Sequence, residues 1–100
     1  MIVEFRDAAR EELLEATRWH LEQAGPAIAG DFETAVRQAL QLLLRMPLLG
    51  TPCCGHARLW PLRRHPYTLV YRVQGQRLSV LAVAHQSRAP GYWRRRDGTR

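Results

Sequence analysis

The chain has 100 residues, of which 46% are hydrophobic, and this is the size of one small domain with a limited core. Its 15 basic residues are all arginine and outnumber 9 acidic residues, which gives a formal net charge of +6. The lack of lysine excludes any mechanism that needs a catalytic lysine, and no apolar run approaches the ~20 residues of a membrane span. The N-terminal residues lack the basic and apolar regions of a secretion signal, so we expect a cytoplasmic protein.

The first half of the chain predicts a strand followed by two helices. Residues 1–5 are β-prone. Asp7 is positioned as the N-cap of a helix over residues 7–24, whose apolar residues recur every three or four positions. Gly25 ends this helix, and Pro26 begins a second one that runs to Arg45. Because Gly25 and Pro26 leave almost no loop, we predict that the two helices form an antiparallel hairpin.

Residues 47–57 contain two prolines and two glycines and predict a loop. The adjacent Cys53 and Cys54 in this loop fit a reducing compartment better than a scaffold disulfide. Together with His56 and His65 they lack the spacing of a zinc site, so the sequence predicts no metal and no cofactor.

The second half predicts three short strands, over residues 58–63, 67–73 and 77–85. Pro61 marks the first of them as an edge strand or a bulge. The sequence therefore predicts an α+β fold, in which an N-terminal strand precedes an antiparallel helical hairpin packed on a small antiparallel sheet (β-α-α-β-β-β). We predict that residues 1–96 form one domain and that residues 97–100 are a flexible basic tail.

The turn between the last two strands predicts which side chains share a face. A two-residue turn at residues 74–75 pairs Val73 with Gln76, and one face is then almost wholly apolar. A three-residue turn would mix polar and apolar side chains, which is costly where a face is buried. Both Arg72 and His85 then lie on the opposite, half-polar face. The apolar face, which we expect the helices to cover, holds Tyr67, Leu69, Tyr71, Val73, Leu78, Val80, Ala82 and Ala84.

The charges are divided along the chain. Residues 1–33 contain three arginines and eight acidic residues, net −5, whereas residues 34–100 contain twelve arginines and one acidic residue, net +11. A basic half of this kind predicts a polyanionic partner, such as a nucleic acid, an acidic peptide or an anionic surface. Arginines hold phosphates and carboxylates by paired hydrogen bonds, and tryptophans stack on bases or anchor a partner helix. The predicted binding residues are Arg58, Trp60, Arg63, Arg64, Arg77, Trp93, Arg94 and Arg95.

Six segments of the chain carry a resemblance to a known family. They are Ala9–Leu13, Ala16–His20, Arg63–Tyr67, Val70–Val73, Val80–Arg88 and Pro90–Arg96. Together with the order strand, helical hairpin and three strands, they resemble the RelE/ParE superfamily of bacterial toxins over about residues 1–96. The resemblance implies the toxin of a type II toxin–antitoxin, or plasmid stabilisation, module.

The resemblance also implies a set of partners. A cognate antitoxin wraps the toxin with its C-terminal segment and binds operator DNA with its N-terminal domain, so the toxin reaches the operator only through the antitoxin. Such assemblies are often heterotetramers, and we expect no membrane partner. ParE-like members inhibit growth by poisoning DNA gyrase, and RelE-like members cut mRNA in the ribosomal A site. The absence of lysine and the sequence His85-Gln86-Ser87 favour the ParE-like branch; a further hypothesis is an inactive module that only binds its antitoxin.

The RelE-like alternative predicts an active site that works without a metal. Cleavage needs a group that activates the 2′-OH, a cation that stabilises the developing negative charge and an acid for the leaving oxygen. His85 is the candidate acid–base group because histidine titrates near neutral pH. By the resemblance, Arg72 corresponds to an arginine that RelE-like nucleases use, and Tyr92 lies near a tail tyrosine that acts in others. The structural alternative is that Arg72 pairs with an antitoxin carboxylate and His85 caps the strand.

Overall fold

The computed structural model describes residues 1–96 and confirms the α+β fold. The tail that was predicted to be flexible, residues 97–100, lies outside the described residues. Within residues 1–96, no helix is long and apolar enough to cross a membrane. The elements in chain order are β1 (Ile2–Phe5), α1 (Asp7–Ala24), α2 (Pro26–Arg45), β2 (Thr51–Pro52), β3 (Ala57–Pro61), β4 (Tyr67–Gln74), β5 (Arg77–His85) and a turn of 3₁₀ helix (Arg94–Arg96).

Both helices have the predicted bounds. Arg6 is the residue before the first helical position, so the N-cap role predicted for Asp7 is wrong; the Asp7 carboxylate lies in the first turn, where it interacts favourably with the helix dipole. Gly25 has a φ of 90°, a conformation that favours glycine and turns the chain between the helices without a loop. The His20 ring stacks on Phe32 with ring centroids 4.5 Å apart, so the helices run antiparallel as predicted.

The sheet has five strands in the order β1-β5-β4-β3-β2. The three predicted strands form an antiparallel meander, and β1 pairs in parallel with β5. The loop predicted over residues 47–57 contains the short strand β2, which pairs Thr51 with Leu59 and Pro52 with Arg58. Pro61 lies beyond the end of β2, at the open edge of the sheet, where its missing N–H costs no hydrogen bond.

The predicted pairing of β4 with β5 is wrong by two residues at the turn. Val73 lies opposite Leu78 rather than Gln76, and the two-residue turn is formed by residues 75–76. Gly75 supplies the positive φ, 59°, that such a hairpin turn requires. Because side chains alternate with a period of two, this shift preserves the predicted faces next to the turn.

A β-bulge in β5 changes the face of its last residues. Tyr71 pairs with Val80, but the preceding Val70 pairs with Ala82, which leaves Leu81 as the extra residue. Beyond this bulge, the side chains of β5 alternate in the sense opposite to the prediction.

The bulge places Arg72 and His85 on different faces, so the prediction that they share one face is wrong. His85 pairs with Tyr67, which packs in the core under the helices, and the two ring centroids are 5.0 Å apart. Arg72 follows Tyr71 of the same core and therefore lies on the other face. Arg72 and Tyr67 are five positions apart along β4, about 16 Å at the usual rise of a strand. Ala82 moves to the second face with Val70.

The sheet is buried on both faces. The larger core lies under the two helices and contains Tyr67 and Tyr71, as predicted. The Tyr71 hydroxyl donates to the Pro47 carbonyl at 2.7 Å and accepts from the Gly50 amide at 2.9 Å, which holds the loop after α2 against this core. The C-terminal segment covers the other face, where the smaller core consists of Ala57, Val70, Leu81, Ala82 and Trp93.

Candidate functional site

A groove between α2 and the β3–β4 connection brings together three predicted binding residues, Trp60, Arg63 and Arg64. We call it the α2 groove, and its volume is about 520 Å³. The connection side is formed by residues 60–65. The α2 side is formed by Asp31, Thr34, Ala35, Gln38, Ala39 and Leu42.

The α2 groove combines apolar walls with a charged rim. Arg63 is exposed, and the Arg64 side chain is 81% exposed with its Nη1 3.8 Å from Asp31 Oδ1. Asp31 also contacts the buried His65, with 3.0 Å between Oδ2 and Nε2. An exposed ion pair such as Arg64–Asp31 contributes little to stability, so the arginines of the rim remain able to bind another carboxylate. The groove therefore suits a peptide that combines apolar and acidic residues.

A second groove, the α1 groove, lies between α1 and the end of β5 and has a volume of about 380 Å³. It contains His85 beside Trp19, Tyr67 and Arg88. The Ser87 amide donates to His85 Nδ1 at 3.0 Å, and Ser87 Oγ lies 2.8 Å from the same atom. Because Nδ1 accepts this bond, the proton of the neutral ring is on Nε2. His85 therefore closes the turn after β5 and keeps one N–H for a ligand.

Tyr92 belongs to a polar cluster that sequence analysis missed, and we call it the Glu12 latch. The Glu12 carboxylate accepts hydrogen bonds from the Tyr92 hydroxyl at 2.7 Å, the Val83 amide at 3.0 Å and the Arg96 guanidinium at 3.0 Å. Arg96 also donates to the Leu81 carbonyl at 2.9 Å. Burial, together with the hydrogen bond to Glu12 and the Glu12 charge, raises the pKa of Tyr92 to about 12. The latch therefore holds the C-terminal segment against α1 and β5.

Two of the three predicted catalytic residues line the same groove, and the third does not. His85 and Tyr92 both line a shallow groove of about 250 Å³ that extends from the second face of the sheet to the end of β5. Arg88 lines the same groove, with its guanidinium carbon 3.9 Å from the centre of the Tyr92 ring. Arg72 is at the other end of β4. Sequence analysis did not select Arg88; its position in the loop that follows β5 was the available signal, because functional residues concentrate in such loops.

The comparisons with known proteins identify the family. The family model described as "ParE toxin of type II toxin-antitoxin system, parDE" matches residues 3–90, which include both helices and all five strands except Ile2 at the start of β1. The chain belongs to this family. The predicted RelE/ParE resemblance is thereby confirmed, and the part of the chain that matches includes the α2 groove and His85.

The fold of this ParE-family toxin is also similar to a solved structure described as "Chromosomal ParDE TA system from P. aeruginosa". The TM-score is 0.74, the sequence identity is 18%, and the match covers 85% of this chain and 95% of that chain. At this identity the likeness establishes the shared fold alone. A search of curated proteins finds no match.

Three of the other predicted binding residues make contacts within the fold. Arg58 Nη1 donates to the carbonyls of Leu48, at 3.0 Å, and Gly50, at 2.8 Å. Arg77 pairs with Glu4 of β1 at 2.9 Å, and Trp93 is 5% exposed in the smaller core. Arg94 and Arg95, on the 3₁₀ turn, are exposed, as is Arg77. Among residues 1–96, no group of three or more His, Cys, Asp or Glu side chains could hold a metal ion.

Proposed function

We propose that this toxin inhibits growth by poisoning DNA gyrase and has no chemistry of its own. Membership of the ParE family supports the proposal, and the position of Arg72 is the observation that carries it. A nuclease built from His85, Arg72 and Tyr92 needs all three around one phosphate, yet Arg72 is about 16 Å from the strand position of His85. The Tyr92 hydroxyl already donates to Glu12, which removes it as a proton donor for a substrate.

A cognate antitoxin is the second part of the proposal, and its C-terminal segment would occupy the α2 groove. Apolar residues of that segment would cover Trp60, and acidic residues would pair with Arg63 and Arg64 on the rim. Buried tryptophan and arginine contacts of this kind dominate the binding energy of many interfaces. Operator DNA would be bound by the other domain of the antitoxin, within a hetero-oligomer.

The target is tested with purified toxin, gyrase and relaxed plasmid DNA. We expect loss of supercoiling and accumulation of cleaved DNA, and in cells double-strand breaks with an SOS response. In a parallel translation reaction, mRNA should stay intact. The proposal fails if gyrase is unaffected and mRNA is cut at A-site codons. Normal growth after induction of the toxin would favour the hypothesis of an inactive module that only binds its antitoxin.

The antitoxin site is tested by calorimetric titration with the antitoxin encoded beside the toxin. Trp60→Ala should weaken binding by about 30-fold, the effect of losing a buried anchor of about 2 kcal/mol, and Arg64→Glu should weaken it through charge repulsion. Arg18→Glu is the matched control, because Arg18 is exposed on α1 and does not line the groove. Equal affinities for the Trp60→Ala, Arg64→Glu and Arg18→Glu variants would place the antitoxin elsewhere.

A ribosome-dependent mRNA endonuclease is the second candidate, and the position of His85 and Arg88 in one groove favours it. In this reaction the imidazolium form of His85 would protonate the leaving 5′ oxygen from Nε2 and become the neutral ring, and Arg88 would stabilise the charge on the phosphate in place of Arg72. The Arg88→Ala variant tests this assignment. An unchanged rate of mRNA cleavage on programmed ribosomes would remove Arg88 from the mechanism.

A further inference from the structure

The two cysteines lie together in the turn between β2 and β3, and the proposed function uses neither. Their Sγ atoms are 3.4 Å apart; Cys53 is exposed, and Cys54 is half-buried against the smaller core. The turn is held by two backbone hydrogen bonds, from the Cys53 amide to the Ala57 carbonyl at 3.0 Å and from the Ala57 amide to the Cys54 carbonyl at 3.2 Å. The pair therefore lies on a backbone that the sheet fixes, with Cys53 exposed to solvent and Cys54 partly accessible.

The geometry of this pair disfavours a disulfide. Adjacent Cα atoms are about 3.8 Å apart across a trans peptide, less than the ~4.4 Å at which disulfides begin to occur. The sulfurs would also have to approach from 3.4 Å to about 2.05 Å. Oxidation of this pair therefore requires the turn to distort.

A single atom bridging the two sulfurs fits without that distortion. With bonds of about 2.3 Å, the usual length for a thiolate bound to a soft metal ion, a separation of 3.4 Å corresponds to an angle of about 95° at the bridging atom. That angle is below the tetrahedral value and suits a pyramidal centre with a lone pair. Since residues 1–96 offer no group of three ligands, the bridging atom must also bring its remaining substituent with it.

We propose that Cys53 and Cys54 form a dithiol site that binds one trivalent arsenical as a chelate. Reaction with a monosubstituted arsine oxide forms two As–S bonds and breaks two S–H bonds and the As–O double bond. The oxygen takes both protons and leaves as one water molecule. Arsenic remains trivalent, so no oxidant or reductant is needed.

The protonation of Cys53 helps to separate chelation from ordinary thiol reactivity. The hydrogen bond with Cys54, and then burial, raises the pKa of the Cys53 thiol. Alkylating reagents react with thiolates, so they modify a thiol that keeps its proton only slowly at neutral pH. Fast uptake of an arsenical with slow alkylation of Cys53 is therefore the expected pattern.

The experiment uses phenylarsine oxide as the probe and intact-mass spectrometry as the readout, on the full chain under reducing conditions. We expect one adduct per chain that resists excess 2-mercaptoethanol and is removed by 2,3-dimercaptopropanol. Cys53→Ser and Cys54→Ser each leave a single As–S bond, so their adducts should be stripped at monothiol concentrations lower by on the order of 100-fold. The two variants also serve as controls for each other, because each retains one thiol of the same turn.

Two results would overturn the proposal. One is an adduct on the unsubstituted chain that is stripped at the same monothiol concentration as the adducts of the single variants. The other is an arsenical that joins two chains, which the mass of the adduct would reveal. Matching thermal unfolding curves for the three proteins establish that both comparisons are made on folded protein.

Discussion

The Glu12→Gln variant tests whether the Glu12 latch holds the C-terminal segment on the sheet. The Glu12 side chain is 13% exposed and accepts hydrogen bonds from Tyr92, Val83 and Arg96. Glutamine has nearly the same shape, but it offers one acceptor oxygen and no charge. At least one partly buried donor therefore loses its acceptor, and Arg96 loses its counter-ion.

The size of the effect follows from these contacts. A buried donor without an acceptor costs about 1–3 kcal/mol, and hydrogen bonds to charged groups contribute about 1.5–3 kcal/mol. The Arg96 side chain is 22% exposed and keeps its bond to the Leu81 carbonyl, so water offsets part of the loss. We expect Glu12→Gln to lower the free energy of unfolding by about 2–3 kcal/mol. In a domain of this size, the melting temperature should fall by on the order of 10 °C or more.

Thermal denaturation at pH 7, followed by circular dichroism, measures this loss. Glu15→Gln is the matched control, because Glu15 is exposed on the same helix, and its effect should stay within about 0.5 kcal/mol. In a double-mutant cycle, Tyr92→Phe should cost less in the Glu12→Gln background than in the unsubstituted chain. The reasoning is refuted if Glu12→Gln and Glu15→Gln melt at the same temperature.

Three further outcomes are expected. The fold raises the pKa of Tyr92 to about 12. The stabilisation that the protonated Tyr92 hydroxyl contributes is therefore complete below the ordinary tyrosine pKa near 10, and it is lost as the pH rises through about 12. In urea unfolding, Tyr92→Phe should therefore differ from the unsubstituted chain most at neutral pH and least above pH 12; a constant difference contradicts this. Gly50→Ala should lower the free energy of unfolding by about 1–3 kcal/mol, because the added Cβ would lie 2.6 Å from the Tyr71 hydroxyl oxygen. Gly30→Ala, whose Cβ would meet open space, should raise the free energy of unfolding by up to about 1 kcal/mol in the same assay. His85→Ala should keep full growth inhibition, because gyrase poisoning needs no proton from His85; loss of toxicity in a folded variant would favour the endonuclease.

The helices could be predicted from local signals alone. Gly25 signals the end of one helix and Pro26 signals the start of the next. The observed bounds of α1 and α2 agree with the predicted ones. The strand β2 could not be predicted in the same way. It has two residues, one of them Pro52, so no alternation can develop, and it exists only because β3 lies beside it.

The face of His85 could not be predicted because residues 80–83 are all apolar. Both faces of β5 are buried there, so the extra residue at Leu81 moves no polar side chain into a core. Under those conditions the period of two carries no information about register. The face that His85 occupies was therefore visible only in three dimensions.

Glu12 was missed although the sequence contained a signal for it. An acidic residue near the start of a helix is explained by the helix dipole alone, and that explanation is sufficient for an exposed side chain. Ala9, Glu12 and Ala16, however, lie on one face of α1, and both alanines are buried. A carboxylate in a buried stripe indicates a polar partner. The partners Tyr92 and Arg96 are 80 or more positions away, so the sequence could not name them.

The order of the strands has a consequence for how the toxin is made. The last strand of the chain, β5, lies between the first strand, β1, and β4. While the ribosome is still adding residues before Arg77, neither β1 nor the adjacent edge of β4 has its neighbour, and the core under the helices stays open. Translation products that stop before β5 therefore cannot form the folded surface. Growth inhibition should thus require synthesis through β5, and a prematurely terminated message yields chains that cannot act as a toxin.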